Sequence, residues 1–184
     1  MTDTSLAVRR PRDVVAVVGP DARTYLQGQL SQDVEALEVG GSAETFLLQP
    51  AGKVDAWMRV SRLADDHFLL DVEEGFGPQV AARLTRFLLR TDCTVQEVQW
   101  DLVTVIDAEA SAFSPPVGGL ALAVEWPGLV AVDLLGPSVE LPGGLAEGSS
   151  RDWEVRRIAA GIPAMGSEMD STTIPGSTGV VERS

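Results

Sequence analysis

The chain has 184 residues, a net charge of −13 and a hydrophobic content of 45%, which is the size and composition of one globular domain. The acidic balance argues against a general surface for nucleic acid or anionic membranes, because phosphate binding needs a basic footprint. A single cysteine, Cys93, and a single histidine, His67, exclude an internal disulfide and a multi-histidine metal site.

The sequence pattern predicts neither a membrane span nor a secretory signal. No apolar run approaches the roughly 20 residues of a membrane span, and the N-terminal MTDTSLAVRRPRD has no hydrophobic segment typical of a secretory signal. We therefore expect a cytoplasmic protein without membrane contact or direct nucleic-acid binding. Cys93 has no CxxC partner and is interpreted as a half-buried thiol, and we predict no metal site and no catalytic residue.

The first half of the chain predicts a strand, a helix and three further strands. Residues 13–18 are a β-branched run typical of a buried strand. Asp21 is a candidate N-cap for a helix through residues 23–34. The next three runs have strand character, and the turn PAGK joins the first two of them: they are 43–49, 54–63 and 67–72.

The second half adds two helices and two pairs of strands. Apolar residues recur at helical spacing through FGPQVAARLTRFLLR, residues 76–90, and predict a helix. Residues 94–107 and 119–135 predict the pairs of strands. A last helix is predicted over 151–161, with Gly161 as its C-cap. Blocks of strands interrupted by helices indicate an α+β fold rather than regular βαβ alternation.

Three segments together resemble the folate-binding domain of the YgfZ/GcvT superfamily. They are VVGPDARTYLQGQLSQDV, LLQPAGKVDAWMRVSRL and RDWEVRRIAAGIPAMGSEMD…TIP, which occur in the family's order and spacing. YgfZ-type proteins are the nearer relatives, and the T-protein of the glycine cleavage system is more distant. The resemblance implies an α+β pseudobarrel of two αβ-subdomains, with mixed or antiparallel sheets around a cavity that binds tetrahydrofolate.

The resemblance covers residues 1–184 as a single folate-binding domain. Family members continue into a KGCYxGQE motif and a small C-terminal β-barrel, and neither occurs in this chain, which we expect to be incomplete at its C-terminus. We therefore expect the segment after Gly161 to be loosely held or to pair with another chain.

The resemblance also implies a set of folate-binding residues. A tryptophan at the position of Trp153 lies in the folate cavity, where its ring stacks on the ligand; the alternative is an aromatic residue of the core. Lys53 is either a cation near the folate carboxylates or a solvated turn residue. Gln27, in YLQGQL, and Glu168, in AGIPAMGSE, occupy matching family positions. Arg157 adds positive charge on the Trp153 helix.

Several positions depart from the T-protein pattern. The carboxylate that holds the pterin in T-proteins is replaced by Ala159, and Glu154 lies five residues earlier. The place of the catalytic aspartate falls on Ala56 or Trp57. Asp55 is one residue away and should point from the opposite face of its strand. These departures argue against transferase chemistry.

An arginine patch has two interpretations. Arg83, Arg86 and Arg90 have spacings that place them on one face of the predicted helix 76–90, and Arg156 adds to the charge of the later helix. The patch either docks a polyglutamate tail or an acidic partner, or forms a solvated face with local ion pairs.

The leading functional prediction is a tetrahydrofolate-binding, YgfZ-like protein that supports the assembly or repair of iron–sulfur enzymes, with downstream effects on tRNA modification. Its implied partners are folate and iron–sulfur biogenesis or client proteins. The alternatives are a tetrahydrofolate-dependent aminomethyltransferase and a non-catalytic interaction module.

Overall fold

The computed structural model describes residues 5–184, and within them helices interrupt blocks of strands, as in an α+β protein. The strands are β1 (Leu6–Arg10), β2 (Arg12–Val18), β3 (Ser42–Leu48), β4 (Val54–Ala64), β5 (His67–Glu73), β6 (Thr94–Val98), β7 (Asp101–Ile106), β8 (Leu120–Trp126), β9 (Leu129–Gly136) and β10 (Ala146–Gly148). The α-helices are α1 (Ala22–Gln27), α2 (Gly77–Thr85) and α3 (Ser150–Ala160). The predicted fold class is confirmed.

The chain divides into two compact units, and each is discontinuous in sequence. Within the described residues, unit 1 combines residues 5–12 with residues 100–163. Unit 2 combines residues 13–99 with 164–184. The resemblance to a family with two αβ-subdomains is consistent with this division.

Unit 1 is a five-stranded sheet with the order β10-β1-β7-β9-β8. β10 pairs parallel with β1, whereas the β1–β7, β7–β9 and β8–β9 pairs are antiparallel. One face carries an apolar cluster whose members are Ala7, Val103, Val105, Val132, Leu134 and Val139. Because side chains alternate along a strand, Arg10, Thr104 and Asp133 lie on the opposite face, where α3 packs against β1 and β9.

Unit 2 is a second five-stranded sheet, with the order β3-β4-β5-β2-β6. The core consists of β-branched, aromatic and leucine side chains, among which Phe46, Phe68, Leu69, Leu70 and Leu84 are fully buried. Helix α1 contacts β5, and α2 contacts β5 and β6. The β3–β4 hairpin was predicted with its turn, and its observed register pairs Leu48 with Val54.

Helix α1 is shorter than the predicted helix over 23–34. It ends at Gln27, with Gly28 as its C-cap, because the next residues bond to β3 instead of continuing the helix. The Ser31 amide donates to the Phe46 carbonyl (3.0 Å), and the Phe46 amide donates to the Ser31 hydroxyl (2.7 Å). Asp21 precedes α1, but its side chain accepts from the Asp92 amide (2.8 Å) and makes no cap hydrogen bond to the helix.

Helix α2 also ends early, at Thr85 rather than at residue 90. The Leu84 carbonyl accepts from the Phe87 amide (2.9 Å), which is the i+3 hydrogen bond of a 3-10 turn rather than the i+4 bond of an α-helix. It also accepts from the Tyr25 hydroxyl (2.6 Å). Leu89 is 82% exposed and Arg90 has a φ of 60°. The prediction that Arg83, Arg86 and Arg90 share a helix face is therefore wrong.

The expectation of a loosely held segment after Gly161 is wrong. Met165, Met169 and Val180 are buried, and the segment is bonded to unit 2 by the Val54 amide, which donates to the Thr173 carbonyl (2.9 Å). The Trp57 indole nitrogen donates to the Ser184 hydroxyl (3.0 Å). The apolar residues of this segment hold it in place even though its Gly and Ser content is typical of a loop.

Candidate functional site

Trp153 lies on α3 with 6% of its surface exposed, facing the sheet of unit 1. Directly over its ring is the guanidinium of Arg10 on β1, with the Arg10 Cζ 3.8 Å from the ring centroid. That distance is the spacing of a stacked cation–π pair. The indole therefore presents a face on which a flat, hydrogen-bonding group is bound.

The Arg10 guanidinium is held by two buried side chains of the adjacent strands. Its Nη1 donates to the Thr104 hydroxyl on β7 (3.2 Å) and lies 3.6 Å from Asp133 Oδ1 on β9. The Thr104 hydroxyl donates to Asp133 Oδ1 at 2.5 Å. Arg10 is 14% exposed and Asp133 only 3%, and a carboxylate that deep requires such partners. We call Arg10, Thr104, Asp133 and Trp153 the indole cluster.

The ends of α3 explain why Trp153 is placed firmly. Ser149 and Asp152 form a capping box at the first turn. The Ser149 hydroxyl and amide both donate to Asp152 (2.7 Å each), and these hydrogen bonds lower the pKa of Asp152. At the other end Gly161 has a φ of 75°, the left-handed cap that the sequence predicts.

Arg157 lies on α3 as well, but its N–H groups donate to Glu154 on the same helix and to the Ile162 carbonyl just after the helix. Nε and Nη2 pair with Glu154 (2.7 and 2.6 Å), and Nη1 donates to the Ile162 carbonyl (3.0 Å). A bidentate pair of this kind fixes the side chain. Arg157 orders the turn that leaves the helix, and its predicted role in binding folate stays a prediction.

The other three predicted residues lie in unit 2. The Gln27 amide oxygen accepts from the Glu35 amide (3.0 Å), which fixes the short 3-10 turn at Val34–Ala36. Glu168 accepts from the Ala164 amide (3.0 Å). Lys53 is half-exposed in the β3–β4 turn. Of the five residues, only Trp153 and Arg157 are thus brought onto one element.

Asp55 points toward α2. Its Oδ1 accepts from the Gln79 amide nitrogen (3.0 Å), and its Oδ2 lies 3.6 Å from Arg83 Nε. The neighbouring Ala56 and Trp57, at which the resemblance puts the T-protein aspartate, are buried. The prediction that no carboxylate occupies that position stays as it was made from the sequence.

Arg10, Thr104 and Asp133 were missed from the sequence. Asp133 interrupts the apolar strand run LVAVDLL, and a lone carboxylate in such a run is a signal of a partnered buried charge. Arg10 lies 94 positions before Thr104, so no local spacing relates them.

Comparison with solved structures defines the fold class. The chain has the α+β fold of the glycine cleavage system aminomethyltransferase T from Bartonella henselae, with a TM-score of 0.76 at 18% identity over 94% of this chain and 55% of that one. Among sequence relatives, an uncharacterised protein of Haemophilus influenzae is 26% identical over 162 residues, 88% of this chain and 55% of its own length.

A second sequence relative matches a shorter region. An aminomethyltransferase of Lysinibacillus sphaericus is 40% identical over 58 residues, which is 32% of this chain and 16% of that protein. No protein-family model matches the chain. The chain spans about half the length of the Haemophilus and Bartonella proteins (55% each).

Two further observations concern metals and membranes. Across residues 5–184, no three His, Cys, Asp or Glu side chains come together in a way that could hold a metal ion. Over the same range, no helix has both the length and the apolar character needed to cross a membrane.

Proposed function

We propose that the chain is a tetrahydrofolate-binding protein of the YgfZ-like type. It acts in the cytoplasm and supports the assembly or repair of iron–sulfur enzymes, and through them the modification of tRNA. The observation that carries the proposal is the indole of Trp153, buried on α3 and stacked at 3.8 Å with a planar group, in a protein with the aminomethyltransferase T fold.

The chemistry of the ligand supports this assignment. A pterin is flat and has an edge of hydrogen-bond donors and acceptors, so it needs an aromatic face together with polar groups in the plane of the ring. The indole cluster offers the aromatic face, a carboxylate and a hydroxyl within one unit. Arg157, on the same helix as Trp153, is proposed to contact the remainder of the folate, and the role of Lys53 stays a prediction from the resemblance.

Aminomethyl transfer is the second candidate, and the match to the Lysinibacillus aminomethyltransferase favours it. Two features count against it. Asp55 is engaged by Gln79 and Arg83 on α2, and Ala159, at the position of the T-protein carboxylate, cannot accept a hydrogen bond from a pterin through its side chain.

Calorimetric titration with 5-formyltetrahydrofolate tests folate binding. We expect saturable binding that Trp153→Ala weakens about 10-fold or more, since stacking of a base on an aromatic side chain contributes about 1–3 kcal/mol. Trp126→Ala is the matched control, because Trp126 is a half-buried tryptophan of the same unit at the end of β8. Absence of binding at millimolar ligand would refute the proposal.

Transferase activity is tested separately. Incubation with tetrahydrofolate and an aminomethyl donor should yield no methylenetetrahydrofolate above background, and formation that Asp55→Asn abolishes would establish the second candidate instead. For the cellular role, the chain should restore iron–sulfur enzyme activity in a bacterium that lacks its YgfZ-like gene. Rescue by Trp153→Ala equal to that by the wild type would separate that role from folate.

A further inference from the structure

The Arg10 guanidinium, which lies over the Trp153 ring, has the planar shape and the N–H donors of one half of a pterin. The Arg10 guanidinium is planar, stacks on the indole at 3.8 Å and directs an N–H group toward Thr104 and Asp133. The 2-amino-4-oxopyrimidine half of a pterin has the same N–C(N)–N unit, with two parallel N–H donors on one edge. A carboxylate accepts such an edge with both oxygens, as it does with arginine.

We propose that Asp133 is the acceptor for the amino-pyrimidine edge of a pterin, and that the Arg10 guanidinium competes with the pterin for this place. The inference rests on the proposed function, which it deepens by naming the pterin-recognising carboxylate. It also accounts for the alanine at position 159, since the carboxylate is supplied by β9 instead of α3.

The exposed fractions of the Arg10 and Asp133 side chains indicate that Arg10 is the one displaced by a ligand. Asp133 is 3% exposed and is tied to its strand neighbour by the 2.5 Å hydrogen bond from Thr104, so it keeps its place when the guanidinium leaves. Arg10 is 14% exposed and lies at the end of β1, on a long flexible stem. The guanidinium can therefore rotate toward solvent and leave the carboxylate and the indole face to the ligand.

The energetics predict the sign of the Arg10 effect. In the wild type the ligand has to displace a guanidinium that pairs with a buried carboxylate, and this competition lowers the apparent affinity. Without Arg10, the buried Asp133 loses the guanidinium that lies 3.6 Å from its Oδ1. A pterin that donates two hydrogen bonds then relieves that penalty, so the affinity rises.

Calorimetric titrations of the full chain with 5-formyltetrahydrofolate, and with p-aminobenzoylglutamate as a probe that lacks the pterin, test the inference. Arg10→Met should tighten binding of the formyl compound 10-fold or more, and Asp133→Asn should weaken it 10-fold or more. Neither change should alter binding of p-aminobenzoylglutamate more than 2-fold. Asp71→Asn is the matched control, because Asp71 is a buried aspartate paired with Arg59 in unit 2.

The outcomes distinguish this inference from the proposed function. If the wild type binds and Asp133→Asn binds equally well, Asp133 is not the acceptor and only this inference fails. If neither the wild type nor Arg10→Met binds, both fail. Should circular dichroism show that Asp133→Asn does not fold, Arg10→Met decides: unchanged or weaker binding overturns the inference, and tighter binding confined to the pterin compound supports it.

Discussion

Tyr25 should make the stability of this protein fall at alkaline pH. It is the chain's single tyrosine, it is buried on α1, and its hydroxyl donates to the Leu84 carbonyl at 2.6 Å. Burial, with a smaller contribution from the nearby Cys93 thiolate, raises the pKa of Tyr25 to about 12, while Arg83 opposes the shift. In the unfolded chain the value returns to about 10.

The size and sign of the effect follow from linkage. Because the pKa of this acid is higher in the folded state, its contribution is present in full below about pH 10 and is lost as the pH rises through 12. A difference of two pKa units corresponds to about 3 kcal/mol of unfolding free energy, of which about 1 kcal/mol is lost by pH 11. Tyr25→Phe should remove this slope. At pH 7 it should cost only about 1 kcal/mol, because the Leu84 carbonyl keeps the Phe87 amide as a donor.

Two measurements check the reasoning. Absorbance at 295 nm follows the one tyrosinate directly and should give a midpoint near 12 in the native protein and near 10 in urea. Urea denaturation from pH 7 to 11.5 compares the wild type with Tyr25→Phe, and Cys93→Ala serves as a control because burial also raises the pKa of Cys93. A native midpoint near 10, or parallel alkaline losses in wild type and Tyr25→Phe, would refute the argument.

Three further changes test the packing of the fold by urea denaturation. Gly161→Ala should cost about 1 kcal/mol, because φ is 75° there and no atom lies within 4 Å of the added methyl group; an unchanged midpoint would contradict the left-handed cap. Asp71→Ala should lower the free energy of unfolding by about 3–5 kcal/mol, because it removes the carboxylate 2.9 Å from buried Arg59. The double variant Arg59→Met/Asp71→Leu should recover most of that stability, and a double variant as unstable as Asp71→Ala would contradict this account of the pair. Val180→Asp should cost more than ~2 kcal/mol by burying a charge, whereas exposed Ile174→Asp should be neutral; a neutral Val180→Asp would mean that the C-terminal segment is loose after all.

Most strands could be predicted because their residues alternate or are β-branched, and because Gly and Pro mark the turns between them. β2, the β3–β4 hairpin and α3 with its Gly161 cap have this local character. β10 could not be predicted, since Ala146–Gly148 has no strand preference and becomes a strand by pairing with β1. The ends of α1 and α2 are set by tertiary hydrogen bonds at Ser31 and Leu84. The helical spacing of apolar residues does not predict these bonds, because their partners lie 15 and 59 positions away in the chain.

The candidate site divides in the same way. Trp153 was singled out because it lies within a motif that resembles a known family; it is buried on α3, and its role in binding folate stays a prediction. Arg10 and Asp133 were not found, because they come from separate strands that meet only through the register of the sheet. An isolated charge in an apolar strand run, as at Asp133, is the kind of residue that sequence reading should mark for a partner search.

β1, which carries Arg10, and its sheet neighbour β7 lie far apart in the chain, since 94 positions separate Arg10 from Thr104. At bacterial elongation rates of about 5–20 residues per second, β1 waits on the order of 5–20 seconds for its partner. During that interval the Leu6-Ala7-Val8 segment of β1 lacks its antiparallel partner β7. Unit 1 can therefore complete its sheet only after residues 100–163 have been synthesised.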